Sequence, residues 1–360
     1  MVDIKEGQKV AVSAKRGKVG RGEKSRPEWY YRISKFEKPD HRKAIGQVLN
    51  TLIPYCVLWC FMVLTRTRGY PYWVTLLLAI PAAGFLVRVF TFFHDCCHGS
   101  FLAGKKANTI LGYLFGILVF TPFYDWQYTH WRHHATVANL DYRGEGDVWT
   151  MTLEEYLRAP KHQKWLYRLF RNPLILFGFG PLFYFVVRER FPSKGVGRKE
   201  RKSVAITNLA ILGIVATAAW TIGFSTYILI QLPVLHLAAA TGVWLFYVQH
   251  QFEGVYWARR ENWDAMKAAI EGSSFYKLPR VLQWFSGSIG LHYIHHVRPR
   301  IPNYNLQTCY DDTPELQTVP ALTPLQSLRS LRLRLWDETR EQLVGFRALR
   351  YYLNNKLPHG

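Results

Sequence analysis

Apolar residues gather into long blocks separated by polar and basic stretches. The first block covers 48–64 and the second 70–90, with a short basic link over 65–69. At about 1.5 Å of rise per residue, blocks of this size approach or reach the span of a hydrocarbon layer about 30 Å thick. They read as a transmembrane hairpin. A second pair, 204–222 and 226–248, is joined by a turn containing Gly223 and Ser225, so the order is hairpin, wet insert over 91–203, hairpin. Two weaker blocks, 107–123 and 172–187, are short and broken by Gly or Pro, which predicts interfacial or partly buried helices. Near the end, Thr323 and Pro324 have the form of an N-cap and N1 pair. Leu325, Leu328, Leu331 and Leu335 follow on one side, with Arg329, Arg332 and Arg340 elsewhere. That pattern predicts a basic amphipathic helix, lying on the membrane face or packed on the wet part. The division is a basic N-terminal tail over 1–47, a membrane unit over 48–310 and a C-terminal amphipathic segment over 311–360.

Composition fits segregation of this kind: the chain is 49% hydrophobic, yet its mean hydropathy is only -0.08. Lys and Arg exceed Asp and Glu by 46 to 25, a formal charge of +21. Thirteen of the basic residues precede Asn50, directly ahead of the first block. Basic juxtamembrane segments stay on the cytoplasmic side, which places the N-terminus inside and makes residues 1–47 a flexible cytosolic tail too charged for a signal peptide. The same placement explains the charge without nucleic acid. Cys56, Cys60, Cys96, Cys97 and Cys309 are odd in number and lack metal-motif spacing, so no disulfide framework is implied.

The histidines add chemistry. Eight of 13 fall into three groups: His94 and His98 in HDCCH, His130, His133 and His134 in HWRHH, and His292, His295 and His296 in HYIHH. Spacings of three and four residues put imidazoles on one helix face a turn apart, where several nitrogens can meet a metal. Eight nitrogens exceed what one ion of four to six ligands can use, so two metals are the natural inference, and neutral imidazole suits Fe, Zn, Cu or Ni. His250, in VQHQFEGVYW, lies where the fourth span should emerge toward the same side and is a ninth candidate. His41, His162, His236 and His359 have no partner at ligand spacing. If the N-terminus is inside and both hairpins return the chain, all three groups face the cytoplasm. Asp95, Asp141, Asp147 and Glu253 lie near the groups, either as acceptors for imidazole N–H bonds or as surface carboxylates. The aromatic runs 120–128 and 246–257 read either as walls of an apolar slot or as interface anchors.

The order HxxxH, HxxHH and a distant HxxHH after the last span resembles the membrane fatty acid desaturase family over roughly residues 70–306. The wording HDCCHGSF, GDVWT, YVQHQFEGVYW and HHVRPRIPNYNL resembles the acyl-lipid Δ12, or omega-6, branch of bacteria and plastids, with Cys97 where that branch commonly has Gly. The resemblance implies an all-α integral membrane protein with four transmembrane helices and a cytosolic helical cap. It also implies two Fe ions held by the family's histidines, O2 as co-substrate, acyl chains of membrane lipids as substrate, and an external electron donor, ferredoxin or cytochrome b5. No fused haem, flavin or CxxC module is visible. The expected location is a multi-pass protein of a bacterial inner membrane. Hydroxylation or carotenoid ketolation on the same scaffold is the nearest alternative reaction. A metal transporter or sensor is the alternative of another class, but it would carry its histidines in broken helices near the bilayer midplane.

Overall fold

The computed structural model describes residues 26–144, 147–349 and 352. Four helices are long and apolar enough to cross a membrane: α1, His41–Thr67; α2, Tyr72–His98; α5, Arg198–Thr221; and α6, Phe224–His250. Helices α1 and α6 contain their predicted blocks and run past both ends, whereas α2 starts two residues inside its block and α5 stops one residue short of the end of its own. The α1–α2 turn passes through Gly69 and the α5–α6 turn through Gly223, both at positive φ (71° and 85°) that a side chain would strain.

The central helix is α2, packed against α1, α6 and α3, Lys105–Leu118. Ala79, Ala82, Ala83, Leu86 and Phe92 fill that contact. By contrast, α5 sends Leu209, Leu212 and Trp220 outward, the last 87% exposed, as a helix facing lipid would. The two weaker blocks lie in bent pairs. Helix α3 meets α4, Phe123–Thr136, at 98°, and Lys161–Phe170 meets the stretch Leu174–Arg190 at 58°. The bend into α4 is tight because Gly112 lets the Phe123 ring lie against the α3 backbone. Counting each bent pair as one span would give up to six crossings by length and composition. Yet α4 carries Asp125, His130, Arg132, His133 and His134, which suits the cap.

The cap is closed by short helices and two small sheets. Parallel pairing joins β1, Met151–Thr152, to β4, Leu335–Asp337, which is antiparallel to β5, Gln342–Val344. A second parallel pair joins β2, Phe275–Tyr276, to β3, Ala321–Leu322. Arg171 is fully buried between cap and stem. It donates to Gln251 Oε1 (2.9 Å), the Leu333 carbonyl (2.8 Å) and Tyr247 OH (3.3 Å), so the buried cation has several acceptors.

Two expectations are corrected. The segment predicted as a long amphipathic helix opens at Thr323 with a capping box to Gln326, but its α-helical part is only Pro324–Ser327, followed by a 3-10 turn over Leu328–Arg332. Leu335 and Trp336 are fully buried in β4, and burying them against β1 and β5 outweighs continuing the helix. The described end of the expected flexible tail is also ordered. Glu28–Arg32 is α-helical, Ile33–Glu37 forms a 3-10 turn, and α1 begins at His41 under an Asp40 cap. Ile33 and Phe36 bury against the cap core, while Arg298 donates to the Tyr30 carbonyl (2.9 Å) and Glu37 (3.0 Å). The rest of the tail, 1–25, lies outside the described residues.

Candidate metal centre

Three elements bring the boxes together. The last turn of α2 carries His94 and His98, α4 carries His130, His133 and His134, and the short helix α7, His292–Val297, carries the third box. His250 is the last residue of α6. All nine candidate histidines converge, and they do so in two groups. His94, His98, His130, His134 and His295 form one; His133, His250, His292 and His296 form the other. Within each group the candidate ligand atoms lie within 4.8 Å of one another. The groups abut, the rings of His134 and His296 being 4.2 Å apart. Seven of the nine are buried, and His98 and His134 are half-buried. Neither His41, His162 nor His236 joins a group, and His359 lies outside the described residues.

The ring nitrogens show what the arrangement can hold. In the first group Nε2 atoms follow one another from His98 to His130 (3.0 Å), His134 (3.1 Å) and His295 (3.0 Å). In the second they run from His133 to His250 (3.2 Å), His292 (3.0 Å) and His296 (3.0 Å). A neutral imidazole nitrogen is either a donor or an acceptor. Each chain of three contacts therefore sustains no more than two hydrogen bonds, with the remaining contact repulsive. Lone pairs converging on a cation remove the conflict in both chains. Nitrogens held about 2.1 Å from one ion stand about 3.0 Å apart at right angles and about 3.4 Å apart in a tetrahedron. The observed edges are closer to the first. His94 Nε2 is buried without a protein partner. Burial, reinforced by neighbouring imidazoles, holds His134, His292, His295 and His296 well below the usual histidine range, and the neutral form is the one that ligates.

Behind the rings, Asp147 Oδ1 lies 2.7 Å from His133 Nδ1, and the Gly272 carbonyl lies 3.0 Å from His250 Nδ1. With Nδ1 protonated in each, the Nε2 lone pair points into the group. Asp95 Oδ1 is 3.3 Å from His94 Nδ1, while its Oδ2 accepts from Asn303 N (2.7 Å) and Nδ2 (2.8 Å). Of the four carboxylates singled out in the sequence, Asp95 and Asp147 thus touch histidines. Asp141 instead pairs with Arg259 at 2.7 Å and Glu253 with Arg329 at 3.6 Å, all on the surface. Both aromatic runs reach the rings: Trp126 stacks on His130 at 4.2 Å, and Phe246 lies 5.3 Å from His133 and 5.2 Å from His250.

Sequence reasoning missed Asn303, Gly272 and Arg171. Asn303 was visible only as a polar residue shortly after the third box. Gly272 acts through its carbonyl and leaves no side-chain signal.

The profile of the family described as "Fatty acid desaturase" matches residues 71–322. The chain belongs to this family. It is 46% identical over 319 residues to the "Fatty acid desaturase" of Bacillus subtilis (strain 168), covering 89% of this chain and 90% of that relative. More distant relatives come from Synechocystis. A "sn-1 oleoyl-lipid 12-desaturase" is 23% identical, covering 64% of this chain and 65% of the relative. A "sn-1 acyl-lipid omega-3 desaturase (ferredoxin)" is 25% identical, covering 59% and 60%. Members of the family are oxidoreductases that introduce double bonds into acyl chains, and this desaturase is an enzyme of that class with a multi-pass membrane architecture. Family membership sets aside the transporter reading.

Proposed function

We propose that the nine histidines hold two iron ions and that the enzyme uses O2 to place a cis double bond in the acyl chain of a membrane lipid, with Δ12 or omega-6 regiochemistry. The convergence of nine imidazoles into two abutting groups carries the reading. Iron is supported by the family resemblance, by a first group of five donors, one more than a closed tetrahedral zinc site uses, and by nitrogen edges near 3.0 Å.

Bound iron would supply the O2-derived oxidant that breaks unactivated C–H bonds, chemistry no side chain offers. Two hydrogens leave adjacent methylenes. O2 takes them with two electrons and two protons from outside, giving the alkene and two waters. The chain's own part is placement. Asp147 and the Gly272 carbonyl fix the tautomers of His133 and His250. Asp95 ties the first box to Asn303. Trp126 and Phe246 set apolar surface beside the rings, where an acyl chain packs and water is excluded.

The Δ12 assignment is supported by the motif wording and by the name of one Synechocystis relative. The other relative is named for the omega-3 position at similar identity, so how far the chain enters decides the bond. A separate ferredoxin or cytochrome b5 is the proposed donor, supported by the ferredoxin in that relative's name and by the net charge of +21, which favours an acidic partner. A cytoplasmic site in a bacterial inner membrane is supported by the 13 basic residues before Asn50.

The test is gas chromatography with mass spectrometry of total fatty acids from a desaturase-poor host, expressing the wild type or His295→Ala with a working donor. A new cis double bond in the wild type alone supports the reading, and derivatisation assigns its position. Hydroxylated chains would point to the alternative reaction, and a double bond made equally by His295→Ala would refute the metal assignment.

A further inference from the structure

We propose that a basic hollow at the start of α1 binds the phosphate headgroup of an anionic phospholipid, whose acyl chain lies along the outward face of α1. The hollow is an open surface depression of about 620 Å3 lined by Lys35, Lys38, Arg42, Lys43, Asp40 and Asn305 among others. Its single carboxylate is already engaged: Asp40 accepts from the backbone of Arg42 (2.8 Å) and Lys43 (3.1 Å) as the cap of α1. The lysine at 43 donates to Asn305 Oδ1 (3.1 Å), and Asn305 is itself buried and held by the Phe36 and Lys38 carbonyls. Lys35 stands 3.9 Å from an exposed Asp312. Among the described residues Lys38 and Arg42 are exposed and form no close ion pair, Asp40 acting on Arg42 only at longer range. The wall is therefore net cationic, with one side built from a fixed amide.

What identifies a lipid rather than a free anion is the surface that leads away from the hollow. Ile45, Leu49, Ile53, Val57, Phe61 and Leu64 repeat at spacings of three or four residues along α1, each 44–57% exposed. That spacing draws a slanting stripe, each step of four residues turning it about 40° around the helix. It begins one turn below the cations, so a phosphate in the hollow would place an acyl chain on the stripe. Cations beside a membrane-entering helix recognise anionic headgroups. The hollow also lies on the histidine side of the membrane, since Asn305 shares a helix, Asn303–Asp311, with the Asn303 that binds Asp95. The site does not depend on which bond the enzyme desaturates.

Native mass spectrometry of the intact, metal-loaded protein would count bound phosphatidylglycerol against phosphatidylcholine with the same chains. The wild type should retain one phosphatidylglycerol preferentially. The double variant Lys38→Gln/Arg42→Gln should lose about thirtyfold in that retention, at about fivefold per cation near the surface. Lys105→Gln/Lys106→Gln, which removes as much exposed charge at the start of α3, lies outside the hollow and should leave that retention unchanged. The pair Leu49→Ala/Ile53→Ala, with all cations kept, should weaken retention too. Equal losses in both charge variants would mean diffuse attraction and overturn the site. Displacement of the lipid by excess inorganic phosphate, with no effect of the stripe variant, would make it a free-anion site and overturn the lipid assignment.

Discussion

Replacing Asp147 with Asn keeps the side chain's shape and removes its charge, which isolates the carboxylate's contribution to His133. The 2.7 Å contact joins two side chains that are 1% and 6% exposed, so solvent screening discounts it little. A hydrogen bond to a charged group contributes about 1.5–3 kcal/mol, against about 1 kcal/mol for a neutral one. Because Asn still offers an amide oxygen, the loss is the difference, about 0.5–2 kcal/mol, or about 2–30-fold in affinity for the ion proposed to sit on His133. The effect should stay within one group. Asp147 touches His133, whose partners are His250, His292 and His296, whereas in the other group Asp95 touches His94.

The assay is the metal-to-protein ratio by elemental mass spectrometry after dialysis against rising chelator. Asp147→Asn should release one of the two proposed ions at about tenfold lower chelator, with the second following the wild-type curve. Asp141→Asn is the control, because Asp141 faces Arg259 and the Arg260 backbone on the surface; it should release both ions as the wild type does. Unchanged retention in Asp147→Asn, simultaneous loss of both ions, or the same shift in the control would refute the division of the nine histidines into two ligand sets.

Two further outcomes follow from packing and charge. Gly112→Ala pushes a methyl group into the Phe123 ring at the α3–α4 bend; overpacking of this kind costs about 1–3 kcal/mol and should lower the melting temperature in detergent, which an unchanged melt would contradict. Glu189 is buried, and burial pushes its carboxyl up to about 7 from 4.5. The folded state then holds the proton more tightly than the unfolded chain, so this stabilisation is fully present below pH 4.5 and is lost as pH rises through 7. Glu189→Gln cannot ionise, and its melting temperature should gain on the wild type between pH 6 and pH 8; parallel curves would show that Glu189 does not titrate there.

How far the molecule was legible in its sequence depends on which force set each feature. The four spans were visible because burial in lipid demands unbroken apolar blocks, but their ends were not. Helix α2 runs eight residues beyond the block ending at 90, and those last turns mix the buried Phe92 and Phe93 with the polar residues of the first box. Leu335 fits a helical stripe in sequence, yet is fully buried in a strand whose partners lie at 151–152 and 342–344, a contact that local periodicity cannot report. Asp95 and Asp141 each sit close to a histidine box in sequence. Only the fold turns one toward Asn303 and a histidine, and the other toward a surface arginine.

The sorting of the histidines is the feature least readable from the boxes, and helix geometry explains it afterwards. Successive residues on an α-helix turn by about 100°, so positions i and i+4 lie about 40° apart while i+3 swings about 60° to the other side of i. In HWRHH the outer pair His130 and His134 joins one group and His133 the other; in HYIHH the outer pair His292 and His296 joins the second group and His295 the first. Each HxxHH box therefore serves both groups, two rings to one and one to the other, with α4 and α7 giving opposite majorities. His94 and His98, at i and i+4, stay together, and His250 from α6 completes the other set. A box is thus not a ligand set. The paired spacing of three and four residues lets one short helix contribute to two adjacent positions, and only the facing of α4 against α7 decides which ring goes where.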